Sequence, residues 1–390
     1  MRGTMSAEGD ESVMRMTWDI FCSVVDNYGD IGVTWRLARQ LVAEHDLDVR
    51  LWVDDLTAFV RVCPSADVQL AEQCQQGVSV RHWPAEWQPV MPATVVVEAF
   101  ACTLPAAYVA ALASAAQPVL WLNLEYLSAE DWVAGCHGLP SPQGNGVQKF
   151  FFFPGFVEGT GGVLREADLL VRRDSFQQDP AAEQAFLRGL GVDPAPGARL
   201  ISLFAYENTG LDEWLQVLAD GSQACHLLVP EGRVLADVQR WLRLSSLHVG
   251  AIDVRGALTV QILPFVSQDD YDRLLWCCDF NAVRGEDSFV RAQWAGRPLL
   301  WHIYAQAEGA HWDKLEAFLV LYLQGLSPLA QAALSDLWRA WNAGQGMAAS
   351  WQALQLHWPE VAEHAERWAA QQAARRDLAA GLVQFYLNWL

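Results

Sequence analysis

The chain of 390 residues is 52% hydrophobic and 18% charged, and its formal net charge is −20. This length predicts two domains, and this composition excludes a disordered chain. The negative charge argues against a nucleic-acid partner, because the lysines and arginines form no run longer than two. We therefore expect a globular protein that acts on something other than DNA or RNA.

The cysteines, histidines and apolar segments give no sign of a metal, a disulfide framework or a membrane. None of the eight cysteines forms a Cys-x-x-Cys pair, and the nine histidines lack metal-ligand spacing. Several cysteines lie in apolar runs, as the reduced thiols of a cytosolic protein do. No apolar stretch reaches the roughly 18 residues of a membrane span. The predictions are a cytoplasmic location, no metal or other cofactor, and no membrane partner.

The first predicted domain covers residues 17–184 and alternates strands with helices. Residues 1–16, which are polar and rich in methionine, are predicted to form a disordered leader before it. The predicted strands are residues 18–25, 49–53, 78–80, 94–97 and 119–122, and the predicted helices are 33–43 and 105–114. An aromatic run at 150–156 is interpreted as a further buried strand in preference to a substrate surface. This alternation predicts a mainly parallel sheet with helices on both faces.

A second domain of the same kind is predicted at residues 196–369. A connection rich in glycine, proline and charge at 157–198 precedes it and includes a helix at 181–190. The predicted strands are 200–204, 224–229, 260–263, 280–283 and 298–301, and the predicted helices are 210–219, 232–244, 268–276 and 287–295, with mostly helical chain from 308. The amphipathic segment 359–390 ends in an apolar terminus, so we expect residues 370–390 to return to the first domain and complete it. The predicted fold class is α/β, with two doubly wound, Rossmann-like domains that face each other across a cleft.

Each predicted domain has a polar loop between a strand and a helix. The first runs from Asp26 to Gly32, and the second from Arg284 to Ser288. Ligands of open α/β sheets bind at such strand ends, and helix-start N–H groups beside an arginine suit a phosphate. The alternative for each of these residues taken singly is an ordinary turn or helix cap. Four polar residues within five positions of the second loop favour a site.

These loops predict group transfer from a nucleotide donor in a cleft between the domains. Arg284 and helix-start N–H groups can stabilise a pyrophosphate leaving group without a metal, and Asp26 or Asp30 can act as the base. Phe265 and Gln268, which follow another strand, can hold a nucleobase, although Phe265 alone is also typical of a core. The sequence lacks a Gly-x-Gly-x-x-Gly loop after a strand, a Walker loop and a Gly-x-Ser-x-Gly elbow.

Two long segments resemble the signature motifs of a known family, the bacterial elongation factor P arginine rhamnosyltransferases (EarP). They run from Asp26 to Val33 and from Arg284 to Trp294, and shorter supporting segments lie at 97–100, 265–271 and 301–304. The resemblance covers about residues 18–390. It implies the GT-B arrangement and an inverting transfer of rhamnose from dTDP-β-L-rhamnose to one arginine of elongation factor P (EF-P).

The resemblance also implies roles for individual residues. Asp30 corresponds to the general base, Asp26 to a required aspartate nearby and Glu286 to a further essential carboxylate. The implied donor-binding residues, which surround the thymine, diphosphate and sugar, are Asn27, Gly29, Tyr206, Phe265, Gln268, Arg284, Asp287 and Ser288. Tyr28 stands where relatives carry Phe, and the aromatic ring is retained.

An arginine acceptor suits a site with paired carboxylates. A guanidinium has a pKa above about 12 and is not nucleophilic when protonated. Two carboxylates can bind it, polarise it and take its proton as the bond to the sugar forms. We hypothesise that Asp30 contacts the reacting nitrogen while Asp26 or Glu286 orients the guanidinium. The alternatives are a GT-B transferase with another acceptor, such as a glycan or lipid, and a non-catalytic scaffold that binds nucleotide sugars.

Overall fold

The N-terminal domain is built on an eight-stranded sheet. A computed structural model describes residues 16–25, 28–144, 146–306 and 309–390 of the chain. The strands are β1 (Thr17–Cys22), β2 (Asp48–Val53), β3 (Glu72–Gln75), β4 (Val78–His82), β5 (Val95–Ala99), β6 (Leu120–Leu124), β7 (Pro140–Pro142) and β8 (Gln148–Phe152). Their order is β3-β4-β2-β1-β5-β6-β8-β7, and every pair is parallel except β3 with β4 and β7 with β8 at the edges.

The predicted leader lies outside the described residues except for Met16. The main-chain oxygen of Met16 accepts a hydrogen bond from the N–H of Asp48 at 3.0 Å, and its side chain packs against the core. The leader prediction is therefore wrong for Met16, because this residue extends the pairing of β1 with β2.

The helices between these strands are α1 (Gly29–His45), α2 (Leu56–Val62), α3 (Ala106–Ala113) and α4 (Trp132–Cys136). Helix α1 buries Val33, Leu37 and Leu41 in the core of the domain, as its apolar period predicted. Helix α2 was not predicted, although Asp55 gives it a capped start: its carboxylate accepts from the N–H groups of Thr57 and Ala58.

A buried carboxylate holds β1 and β2 together. Asp19, on β1, is 0% exposed and accepts two hydrogen bonds from Arg50, at 2.6 and 2.5 Å, and one from Trp52 Nε1 at 2.9 Å. The N–H of Ala93 and the hydroxyl of Tyr108 also donate to it. A buried carboxylate is tolerated only when it is paired and hydrogen bonded, so this network fixes the register of the sheet around one charge.

We expect Asp19→Ala to destabilise the protein by about 3 kcal/mol, because it leaves a guanidinium and several buried donors without their acceptor. Urea denaturation followed by tryptophan fluorescence measures the free energy of unfolding. The control is Glu72→Ala, which removes only an exposed ion pair with Arg81 and should cost less than about 1 kcal/mol. Equal losses in the two variants would contradict the role given to Asp19.

The C-terminal domain holds a six-stranded sheet. Its strands are β9 (Arg199–Leu203), β10 (Cys225–Pro230), β11 (Ile252–Arg255), β12 (Leu258–Leu263), β13 (Phe280–Arg284) and β14 (Leu299–His302). The order is β11-β12-β10-β9-β13-β14, with β11 antiparallel at one edge and the other pairs parallel. In both sheets the first strand lies in the middle, which is the doubly wound order that the alternating pattern predicted.

The remaining helices surround this second sheet. They are α5 (Leu169–Gln177), α6 (Pro180–Gly189), α7 (Leu211–Asp220), α8 (Leu235–Leu242), α9 (Gln268–Cys277), α10 (Asp287–Trp294), α11 (Ala310–Tyr322), α12 (Pro328–Ala343), α13 (Met347–Gln355) and α14 (Trp358–Ala373). Helix α5 falls within the predicted N-terminal domain, yet it packs on the C-terminal one. Arg173 donates to the carbonyl of Trp294 at 2.9 Å, and Gln177 donates to the carbonyl of Trp276 at 3.1 Å.

The chain returns to the N-terminal domain through helix α15 (Leu378–Trp389). Leu378, Leu382 and Tyr386 are buried in the core of that domain, so the expected return of the C-terminal helix is confirmed. The prediction of one continuous segment at 359–390 is wrong. Helix α14 ends before the crossing, and the carboxylate of Asp377 starts a new helix by accepting from the N–H of Ala380 at 3.0 Å.

Candidate functional site

The two polar loops lie at the carboxyl ends of central strands. β1 lies between β2 and β5, and β13 lies beside β9, which are the positions where ligands bind in doubly wound sheets. Helix α1 begins within the first of these segments, at Gly29, and helix α10 begins within the second, at Asp287. Asp26 and Asn27 lie outside the described residues, so their roles stay predictions.

Asp30 lies in the first turn of α1 and is 2% exposed. Its Oδ2 atom accepts the N–H of Val25 at 2.9 Å, and its Oδ1 atom accepts the hydroxyl of Tyr126 at 3.2 Å. The N-cap of α1 is Tyr28, so the alternative interpretation of Asp30 as an N-cap is wrong. The carboxylate borders a cavity between the domains.

Glu286 reaches the same cavity from the C-terminal domain. Its Oε2 atom accepts the N–H of Leu127 at 2.9 Å, and this bond joins the two domains. Burial raises the pKa of Glu286 to about 7, against the opposing effects of the Leu127 N–H and the positive charge of Lys314, while the negative charge of Asp30 adds to the rise. The carboxyl group therefore changes its charge near neutral pH.

The cavity that Asp30 and Glu286 share has a volume of about 240 Å³. Its walls also include the ring of Trp301, the ring of Tyr304 and the side chain of Lys314. Two carboxylates beside apolar walls can hold a cation, accept a proton and place a sugar ring against aromatic surface. The structure thus brings together, from different domains, the two described residues that were predicted to be catalytic. We name this space the carboxylate cavity.

A second, smaller cavity of about 50 Å³ adjoins the first, because Gly29 and Gly285 line both. Gly285 has φ +62°, which favours glycine at this turn. Several of the predicted donor-binding residues line it, namely Gly29, Phe265, Gln268, Arg284, Asp287 and Ser288. The half-buried ring of Phe265 lies 5.0 Å from the ring of Tyr28. An aromatic ring, an arginine and a helix start suit a nucleotide, so we name this space the nucleotide cavity.

Arg284 is held in place by aromatic rings. Its guanidinium carbon lies 4.8 Å from the ring centroids of both Phe204 and Tyr206, which is a cation–π arrangement. Tyr206 was predicted to bind the donor, but it lines neither cavity among the described residues, and its ring instead supports Arg284. The neighbouring His302 has its pKa lowered to about 4 by burial and by the charge of Arg284, so it is neutral at pH 7.

Gln268 and Asp287 line the nucleotide cavity and also bind α1. Gln268 Nε2 donates to the carbonyl of Gly32 at 3.0 Å, and Asp287 Oδ1 accepts from Arg36 Nε at 2.8 Å. The N-cap position of α10 is taken by Glu286, whose side chain makes no capping bond, so the alternative interpretation that Asp287 or Ser288 caps the helix is wrong. These side chains therefore connect the domains at the edge of the cavity.

Neither a metal cluster nor a membrane span is found in the part of the chain that the structure describes. No group of three or more His, Cys, Asp or Glu side chains there could hold a metal ion. Within the same residues no helix has both the length and the apolar character to cross a bilayer. The absence of a metal requirement stays a prediction.

The residues near the site that were not predicted include Tyr126, Lys314 and Arg36. Tyr126 follows β6 at the same edge of the sheet, so the strand-end rule could have found it. Lys314 and Arg36 lie inside helices and belong to no motif. Their position near the site depends on how the domains are arranged, which the sequence pattern does not show.

The whole chain is similar to known proteins. The family model described as elongation factor P (EF-P) rhamnosyltransferase EarP matches residues 18–387. A protein-arginine rhamnosyltransferase of Pseudomonas putida is 68% identical over 377 residues, which is 97% of this chain and 100% of that protein. The protein of the same name from Pseudomonas aeruginosa is 62% identical over 374 residues, covering 96% of this chain and all of its own length.

Solved structures agree with the family match. One that describes EarP-mediated arginine glycosylation of translation elongation factor EF-P has 52% sequence identity and a TM-score of 0.71, covering 96% of this chain and 100% of that chain. A glycosyltransferase from Rickettsia africae, at 10% identity, a TM-score of 0.55 and coverage of 96% and 98%, shares the fold alone. The predicted GT-B arrangement is confirmed. The chain is therefore a glycosyltransferase that belongs to the EarP family.

Proposed function

We propose that the protein transfers rhamnose from dTDP-β-L-rhamnose to an arginine side chain of EF-P, with inversion at the sugar carbon. Membership of the EarP family and the names of its relatives support the reaction class and the acceptor. The observation that carries the proposal is that Asp30 and Glu286, from different domains, line one cavity beside the nucleotide cavity. A cytoplasmic location, the absence of a metal or other cofactor, and the absence of nucleic-acid and membrane partners belong to the same proposal.

The nucleotide cavity accounts for the donor. Phe265 stacks on the thymine, while Arg284 and the free N–H groups at the start of α10 neutralise the diphosphate. Because Gly29 and Gly285 line both cavities, a donor bound in this way directs its sugar toward the carboxylate cavity. The negative charge that develops on the leaving dTDP is stabilised by groups already in place.

The carboxylate cavity accounts for the acceptor. The guanidinium of the arginine binds between Asp30 and Glu286, and Asp30 contacts the reacting nitrogen. A bond forms from this nitrogen to the anomeric carbon while the bond from that carbon to dTDP breaks, and the proton passes from the nitrogen to Asp30. One in-line displacement inverts the configuration, whereas retention would require a covalent carboxylate intermediate.

The proposal is tested by incubating the protein with dTDP-β-L-rhamnose and EF-P, followed by mass spectrometry of EF-P. We expect one added deoxyhexose on an arginine. An EF-P variant with that arginine replaced by lysine should stay unmodified. No mass change with a folded partner would overturn the proposal. Tight donor binding without turnover would favour the scaffold, and transfer to a glycan or lipid would favour a different acceptor.

We expect Phe265→Ala to raise the Kd for dTDP about 10-fold or more, because stacking of a base on an aromatic ring contributes about 1–3 kcal/mol. Isothermal titration calorimetry with dTDP alone measures this without turnover. Phe176→Leu is the control, since Phe176 packs against Phe186 and Trp276 away from both cavities. An unchanged Kd in Phe265→Ala would remove the ring from the thymine site.

A further inference from the structure

Helix α1 presents a buried polar face to the C-terminal domain. Gly32, Arg36 and Arg39 follow one another at spacings of four and three residues, so they lie on one side of the helix. Arg39 donates to the side chain of Gln268 at 3.2 Å, and Gln268 in turn donates to the carbonyl of Gly32 at 3.0 Å. The helix that carries Asp30 is therefore bound to the other domain from Gly32 to Arg39.

Arg36 contributes the charged contacts at the centre of this face. It is 1% exposed, and its Nε atom donates to Asp287 at 2.8 Å. Its two terminal nitrogens donate to both oxygens of Asp272, at 3.1 and 3.0 Å, and one also donates to the carbonyl of Gln268. The planar guanidinium makes four bonds from three nitrogens in fixed directions, whereas a lysine carries three donors on one atom and cannot reproduce this fork.

The bonds of Arg36 extend into a buried row of alternating charges. Asp272 also accepts two bonds from Arg291, at 2.9 and 2.6 Å, and Arg291 donates to Glu166 at 2.7 Å. Arg36 is the member of this row that lies on α1. Buried ion pairs of this kind add little net free energy to folding. Removing one partner is costly, because it leaves the other charge buried and unpaired. The row therefore favours one arrangement of the helices that it joins.

The backbone of Gly32, one helical turn before Arg36, also packs closely against the side chain of Asp287. A methyl group added at Gly32 would lie 3.2 Å from Asp287 Oδ2 and 3.3 Å from Asp287 Cβ. The first turns of α1 and α10 are therefore in contact, close to Asp30 on α1 and to Glu286 before α10. We call Gly32, Arg36, Asp272 and Asp287 the clasp.

We propose that Arg36 is a positioning residue, which sets the distance between Asp30 and Glu286 by fixing α1 to the start of α10. Asp30 precedes Arg36 on the same helix, and Glu286 directly precedes Asp287. Arg36 lines neither cavity and so acts through its partners. The expected effect on kcat rests on the proposed function, whereas the contact between the domains can be measured without any reaction.

We expect Arg36→Gln to lower kcat about 100-fold, since a displacement of about 1 Å between reacting groups has an effect of this size. The Kd for dTDP should change by less than about tenfold, because Arg36 holds Asp287 while most other walls of the nucleotide cavity belong to the C-terminal domain and stay in place. Arg36→Lys keeps the charge without the fork, so it should recover part of the lost rate.

The matched control is Arg291→Gln. Arg291 is also 1% exposed and shares Asp272, but its partners Asp272 and Glu166 both lie outside α1. Thermal denaturation should show a similar loss of stability in both variants, while kcat of the control stays within about threefold of the wild type. Equal losses of kcat in the two variants would overturn the proposal, because a merely structural role predicts that result.

Spin labels give a readout that does not depend on turnover. One label is placed on the exposed Cys74 of the N-terminal domain and one on Gln216→Cys of the C-terminal domain, with Cys136→Ser to prevent labelling there. The distance distribution should broaden in Arg36→Gln and stay narrow in Arg291→Gln. An unchanged distribution in Arg36→Gln would overturn the clasp. Broadening in a protein whose wild type leaves EF-P unmodified would support the clasp and reject the proposed function.

Gly32→Ala is the second variant if Arg36→Gln does not fold. It keeps every charge and places a methyl group 3.2 Å from Asp287 Oδ2, so Asp287 must shift by a few tenths of an ångström, which should loosen the clasp and lower kcat with the same sign. A wild-type kcat and distance distribution in Gly32→Ala would contradict the proposal.

Discussion

Asp30→Asn should lower the rate of rhamnosyl transfer to EF-P by about 1,000-fold, while the protein stays folded and binds dTDP as before. The amide oxygen can still accept a hydrogen bond from Val25 or Tyr126, but the side chain can no longer take a proton. A positioned general base contributes about 100- to 10,000-fold to such a step. Initial rates are measured by mass spectrometry of EF-P at saturating donor.

Asp54→Asn provides the matched control for this variant. Asp54 follows β2 at the same edge of the sheet, and its carboxylate accepts from the hydroxyl of Ser23 and the N–H of Val24. It lines neither cavity, so its rate should remain within about threefold of the wild type. A near wild-type rate in folded Asp30→Asn would show that another group takes the proton.

The transfer rate of the wild type should rise with pH up to about 7 and then level off. Burial raises the pKa of Glu286 to about 7, so below that pH the carboxyl group is largely protonated and cannot pair with the guanidinium. The rate should fall about tenfold per pH unit on the acidic side. Glu286→Gln should lower the maximal rate and abolish the fall in rate at acidic pH. If the variant still loses rate as the pH is lowered, the titrating group is a different one.

The same shift in the pKa of Glu286 predicts how stability depends on pH. Because the folded protein raises this pKa above its ordinary value of 4.5, the fold favours the protonated form. The contribution of this pKa shift to the free energy of unfolding is fully present below about pH 4.5 and is lost as the pH rises through about 7. Glu286→Gln resembles the protonated form, so at pH 8 it should melt a few degrees above the wild type, and this difference should shrink at pH 5. Scanning fluorimetry at the two pH values measures it.

The fold followed from the sequence wherever the apolar pattern was continuous. The buried strands β1, β9 and β13 and the helices α1, α7 and α9 came from alternation alone. The edge strands β3, β7 and β11 were missed, because short segments with exposed side chains carry little pattern. Helix α5 was missed for a similar reason, since only Leu169 among its residues is fully buried.

The candidate site was predictable to the extent that it follows from strand ends. Asp30 and Glu286 lie where parallel strands end, and this rule placed both of them before the domains were arranged. The ring of Tyr206 beneath Arg284 and the contact of Arg36 with Asp287 were not predictable. These contacts depend on how one helix or strand packs against another, and the pattern of apolar and polar residues along the sequence does not show which side chains then meet.

Helix α15 has a consequence for how the protein is made. Leu382 and Tyr386 fill the core beside β1, where the ring of Tyr386 lies 6.2 Å from that of Trp18. Synthesis proceeds from the N-terminus, so β1 to β8 emerge from the ribosome long before the helix that covers them. The C-terminal domain is continuous from α5 to α14 and can fold first. The half of the enzyme that carries Asp30 therefore completes its core only when α15 is available, so we expect it to be the last part to acquire its native packing.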